Sequence, residues 1–202
     1  MAFRPAESSG GGSWLGVQKA AITNFSVETK YDWAEIYLVV DLDIESSQYS
    51  RQLKIAGSFD KDSKGKITTC SLLRKIYYLA DAIGWKGGVN ADGNWVDEND
   101  DPIDDIVDYL NTRFTSSQIP DAGTEYDYVV YVFKEPLKPG KDKQYTRVHN
   151  KIMQNTDVGI KTLEEHIAYL KKNGWHKEDD GSTPSVSIPN NADSGDFNID
   201  SL

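Results

Sequence analysis

Hydrophobic and polar positions alternate most cleanly over residues 33–45. Ala34, Ile36, Leu38, Val40, Leu42 and Ile44 fall on one side, and Trp33, Glu35, Tyr37, Val39, Asp41 and Asp43 on the other. A period of two is what a half-buried strand requires. The first set predicts a core face; the second, mixed aromatic and acidic, a face at least partly wet. Residues 17–27 and 49–59 read as strands on either side, the latter with Leu53, Ile55 and Gly57 inward, followed by a polar turn over 60–66 (DKDSKGK). Over 68–83 the period changes. Leu72, Leu73, Ile76, Leu79, Ala80 and Ile83 recur at helical spacing, with Thr68 or Thr69 as N-cap and Gly84 as the stop.

Residues 85–102 form a Gly/Asn/Asp-rich loop, and 103–110 fit a short helix and a strand entry equally well. Residues 126–135 (YDYVVYVFKE) are a strongly hydrophobic strand, 136–143 (PLKPGKDK) a basic turn, and 144–153 a last strand. On that last strand Val148 and Ile152 share one face, and Tyr145, Arg147 and His149 the other. Residues 162–170 predict an amphipathic helix packed through Leu163, Ile167 and Leu170. A Gly/Ser-rich stretch at 6–13 predicts flexibility, and from Lys177 onward the Ser, Asn, Asp, Pro and Gly content predicts disorder. Three strands, a helix, a long loop, two strands and an appended helix is the element order of an OB-fold. The expected class is therefore mainly β (α+β): an OB-like five-stranded barrel over 15–175, with an inserted helix and an appended C-terminal helix. A flexible segment at 1–14 and a disordered acidic tail at 176–202 complete the division.

Charge changes this picture. The net charge of the 202 residues is -10, which alone argues against a nucleic-acid binder. Its distribution argues otherwise. Residues 92–108 hold eight acids and 178–202 six, with no Lys or Arg in either; setting both aside leaves a body of +4. Such blocks are ordinarily solvated interaction segments. No run of 18 apolar residues exists, so no membrane span is expected. The start, MAFRPAESSGGGSW, lacks the apolar centre of a secretory signal. The one cysteine, Cys70, cannot form an internal disulfide, which fits a reducing, cytoplasmic setting.

Two parts of the chain resemble a known family. The body carries a helix ending LADAIGW and, later, YVVYVFKEPLKPGKDKQYTRVHNKI; the chain then ends DSGDFNIDSL. Together these resemble the single-stranded DNA-binding proteins of bacteriophages, whose acidic tails mix acids with a few hydrophobic residues. The tail differs from the bacterial form in spacing its acids with Ser, Gly and Asn and in ending at Leu202 rather than Pro-Phe. The resemblance implies sequence-independent binding of single-stranded DNA during phage replication or recombination, in the cytoplasm of the host cell. It implies no cofactor, an acidic tail that recruits replication or recombination proteins or competes with DNA, and leaves a homo-oligomer open.

Single-strand binding needs cations along the phosphates and aromatic faces for the bases. Trp33 and Tyr37 lie on the non-core face of the second strand. Tyr49 and Arg51 begin the third. Lys134, Lys138, Lys141 and Lys143 surround the last turn. Tyr145, Arg147 and Lys151 share a face of the last strand by alternation. Glu35, Asp41 and Asp43, on the face of Trp33 and Tyr37, would limit the groove or repel DNA from part of it. In the tail, Asp193, Asp196, Phe197, Ile199, Asp200 and Leu202 are the partner-binding candidates.

Other chemistry is weakly represented. Asn90, Asp92 and Asn94 alternate as calcium ligands do, but the order of an EF-hand is missing and a solvated insertion is the stronger reading. His149, His166 and His176 fall in no catalytic motif; Gly-x-Ser-x-Gly, P-loop and His-Glu-x-x-His are all missing. Cys70 reads as a buried structural thiol, and the chain as no enzyme. The competing reading is a phage structural or adaptor protein that binds another protein through its acidic segments. A magnesium-dependent nuclease using Asp100, Asp101, Asp104 and Asp105 is weaker still.

Overall fold

The elements run β1 (Gly16–Val27), β2 (Ile36–Ile44), β3 (Arg51–Gly57), α1 (Ser71–Ile83), β4 (Gly88–Val89), β5 (Trp95–Val96), α2 (Ile106–Phe114), β6 (Tyr128–Lys134), β7 (Thr146–Gln154) and α3 (Asp157–Lys172). This computed structural model describes residues 15–45, 47, 50–115, 126–140 and 143–179. Five strands form one antiparallel sheet in the order β3-β2-β1-β6-β7. The sheet curls until β3 and β7 come together, giving the expected OB-like, nearly closed barrel. Among the described residues, no helix is long and apolar enough to cross a membrane.

Alternation accounts for the barrel core. Leu38, Val40, Leu42 and Ile44 of β2 face inward, with Leu53 and Ile55 of β3, Val130 and Val132 of β6 and Ile152 of β7. Val39, expected on the wet face, is buried as well. One helix, α1, closes the barrel by burying Leu72, Leu73, Ile76, Leu79 and Ile83 in the same core; each large aliphatic side chain so buried contributes roughly 1.5–3 kcal/mol. Gly84 ends the helix in the left-handed region (φ 73°), as expected. The N-cap is Cys70, not Thr68 or Thr69, and its side chain makes no capping bond. Thr68 is used elsewhere: its N–H and hydroxyl both donate to the Asp60 carbonyl, closing the preceding turn.

The acidic stretch after α1 is more ordered than a loop. β4 and β5 form a small hairpin, and α2 resolves the open reading of 103–110 in favour of a helix. Asp105 caps that helix by accepting from the N–H groups of Val107 and Asp108. Three turns share one construction. Asp62, Asn90 and Asp97 each accept two backbone N–H bonds through Oδ1, from residues two and four places on. In each, the fourth residue has positive φ: Gly65, Gly93 and Asp100. The Asn90, Asp92 and Asn94 spacing thus belongs to a hairpin turn, and Asp92 pairs with Lys66.

Helix α2 also completes β1. β6 pairs only with the first half of β1, from Gly16 to Ala20. Beyond that, Asn111 takes its place: Oδ1 accepts from the Phe25 N–H at 2.8 Å and Nδ2 donates to the Phe25 carbonyl at 2.8 Å.

α3 begins earlier than the expected 162 and covers the outside of the barrel. Leu163 and Ile167 bury against Val129, with Val17, Tyr131 and Met153 around them. This explains why the β6 sequence is apolar on both faces: one faces the barrel core and the other lies under α3.

Candidate nucleic-acid interface

Three aromatic rings meet at the β1–β2 connection. Tyr31 stacks on Tyr37 (centroids 4.6 Å apart, planes 22°), and Trp33 lies 6.0 Å from Tyr31 and edge-on to Tyr37 at 5.9 Å. Trp33 is not on the strand as expected. It sits in a turn closed by the Ala34 N–H donating to the Tyr31 carbonyl, and is 60% exposed. Lys54, on the outer face of β3, places its Nζ 5.9 Å from the Tyr37 ring.

From this cluster a groove of about 790 Å³ runs over β3 to β7. Its walls include Tyr31, Tyr37, Arg51, Gln52, Lys54, Phe133, Glu135, Arg147 and His149. The groove lies between the β1–β2 and β6–β7 connections, over β3 and β7, with Tyr37 of β2 at one end. At its far end the Arg147 guanidinium is 5.2 Å from the Tyr145 ring and its Nε 3.3 Å from Glu135. Tyr145 is 54% exposed, and Lys138 and Lys143 are exposed at the hairpin.

Of the residues singled out from sequence, Tyr37, Arg51 and Arg147 line the groove, and Trp33 and Tyr145 flank it through ring contacts. Lys134 is half-buried at the hairpin base, its carbonyl accepting from the Asp179 N–H. Lys151 goes elsewhere. It lies further along β7, outside the groove lining, with Nζ 4.8 Å from the Tyr78 ring of α1. Tyr49, Lys141 and the tail candidates Asp193, Asp196, Phe197, Ile199, Asp200 and Leu202 lie outside the described residues.

The acids feared on this face are engaged. Glu35 turns away to bond Lys61 and the Phe59 N–H, which hold its carboxyl below the usual range. Asp41 accepts from Gln52 on one oxygen and Asn24 on the other, and Asp43 accepts from the Tyr126 hydroxyl. The chain was compared with known proteins. It matches no family model, no curated protein and no solved structure.

Three wall residues went unnoticed in the sequence. Tyr31 sits in a turn with no periodicity to mark it. Lys54 alternates with Leu53 and Ile55 on β3 and was legible by that parity. Phe133 was legible only as part of an apolar run. His149, placed by alternation on the face of Tyr145 and Arg147, is held neutral: burial, then the nearby His166, His176 and Lys151, push it down to about 3. It adds a flat, uncharged ring to the groove wall.

The C-terminal segment also differs from expectation. Disorder was expected from Lys177, yet residues 177–179 are packed on the barrel. Glu178 accepts from the Tyr131 hydroxyl and pairs with Lys171; the Asp179 carboxylate accepts from Gln144 at 2.7 Å; His176 lies 4.4 Å from the Phe133 ring. This strap fixes the start of the acidic tail at the base of the β6–β7 hairpin.

Proposed function

We propose that this chain binds single-stranded DNA, largely without regard to sequence, in a groove on an OB-like barrel. The observation that carries the reading is the groove itself. Stacked and exposed aromatics at one end, and Arg51, Lys54 and Arg147 along it, supply the two things a single strand needs, base-stacking surfaces and phosphate neutralisation. The role envisaged is coverage of exposed strands during phage replication or recombination, without a cofactor and without chemistry. The acidic tail recruits replication or recombination proteins or competes with DNA for the groove.

The test is a titration of the intrinsic tryptophan fluorescence with oligo-dT at several salt concentrations. Saturable quenching that weakens with salt supports the reading, and Trp33→Leu should remove much of the signal and cost roughly 1–3 kcal/mol of affinity. No quenching and no gel shift at low salt would overturn it.

One observation favours a second reading, an adaptor that binds another protein. Trp175 is 69% exposed and meets the exposed Tyr169 edge-on at 5.7 Å, just before the strap. That reading predicts no DNA affinity and a stable complex with a basic partner, weakened by Trp175→Ser.

A further inference from the structure

Tyr37 has a second side. A separate cavity of about 340 Å³, not lined by Lys54 or Arg51, has Tyr37, Trp95, Glu28, Thr29, Glu35 and Ile36 among its walls. Tyr37 walls both spaces, so a strand lying in the groove passes this cavity. Two flat rings, Tyr37 and Trp95, line a space large enough for one base. Beside the Thr29 hydroxyl, the polar side chains offered to that base are the two carboxylates of Glu28 and Glu35, and both are held in place. Glu35 is fixed by Lys61 and the Phe59 N–H at 2.6 Å each, and Glu28 Oε2 by Lys30 at 2.8 Å. A carboxylate has roughly four acceptor directions, so these contacts leave others for a ligand. The remaining carboxylate lone pairs accept from the amino and imino groups of a base edge. Thymine and uracil present two carbonyls there and a single N–H. Guanine presents two adjacent donors, N1–H and the N2 amino group, matched to the two oxygens of a carboxylate.

We propose that this cavity is a base-reading subsite that takes one guanine from the bound strand, adding a composition preference to otherwise sequence-tolerant binding. The inference rests on the single-strand reading above. Its test compares the full chain on oligonucleotides of equal length: oligo-dT, alternating dG/dT, and alternating deoxyinosine/dT, which lacks the amino group. The expected result is a preference of about fivefold or more for dG/dT over dT, mostly lost with inosine. Glu28→Gln and Trp95→Leu should each abolish that ratio, with circular dichroism confirming that both variants fold. Equal affinity for dG/dT and dT, inosine binding as well as guanine, or a ratio unchanged in both variants overturns the subsite while leaving the groove reading standing. Failure of every oligonucleotide to bind overturns both.

Discussion

Asn111 does with one side chain what a neighbouring strand does with its backbone. β6 stops short, and without the amide the N–H and C=O of Phe25, itself almost fully buried, have no partner at that edge. Leaving two buried backbone groups unsatisfied costs about 1–3 kcal/mol each. Asn111→Ala is expected to destabilise the fold by about 2–4 kcal/mol in urea unfolding, with an unchanged m-value. Asp100 tells the opposite story. It has φ 65° where the two sister turns have glycine, a conformation that costs a residue with a Cβ roughly 1 kcal/mol. Asp100→Gly should therefore raise stability by about 0.5–1 kcal/mol, a change readable as a higher urea midpoint. His149 sets a pH window. Its folded value of about 3 lies below its ordinary 6.5, so the unfolded chain takes up a proton first as pH falls. The stability is whole above pH 6.5 and declines between there and about 3, by at most about 1.4 kcal/mol per pH unit. His149→Phe should flatten that part of the stability profile.

At the scale of elements, what was legible is what depends on period alone. β2 and α1 were plain because five aliphatic residues in the strand and six in the helix each keep a single period, and their inward residues are among the ones read from sequence. The order of strands and helix then gave the barrel. What escaped is whatever depends on another element. The hairpin β4–β5 is two residues on each side, too short for a period, and is held by side-chain turns at Asn90 and Asp97. The contact of Lys151 with Tyr78 depends on where α1 packs against β7, which one strand's alternation does not contain. The strap at 177–179 looked like tail because its composition is polar; its bonds go to Tyr131, Lys134 and Gln144, far away in sequence. The entry to α3 shows the same dependence on a neighbour. A Cβ on Gly159 would collide with the Gln154 carbonyl, so Gly159→Ala should lift the helix off β6 and β7 and lower the melting temperature, despite the better helix propensity of alanine.

Over the whole molecule, the proposed single-strand reading makes charge decide the strength of binding. Each phosphate neutralised by a cation adds about 0.7 to the magnitude of the logarithmic salt slope for a single strand. Replacing Lys54 and Arg147 together by Glu should weaken binding to every sequence and reduce that slope by about one to two, measured by titration across salt. On the proposed reading the acidic tail acts in the other direction. Ending the chain after Asp179 keeps the strap and removes Asp180, Asp193, Asp196 and Asp200. Tighter DNA binding at low salt is the expected outcome, and an affinity unchanged across salt would exclude competition by the tail.

The barrel has one seam. β3 and β7 are the ends of the hydrogen-bonded order, and the groove lies over the place where they meet. A ligand held by Lys54 on one side and Arg147 on the other spans that seam as a clasp spans the gap in a ring. Its binding would slow hydrogen exchange at the outer amides of β3 and β7 more than at β1, whose partners lie on both sides. The nucleic acid would then act as the last stave of the barrel, and the protein would be most rigid when it is in use.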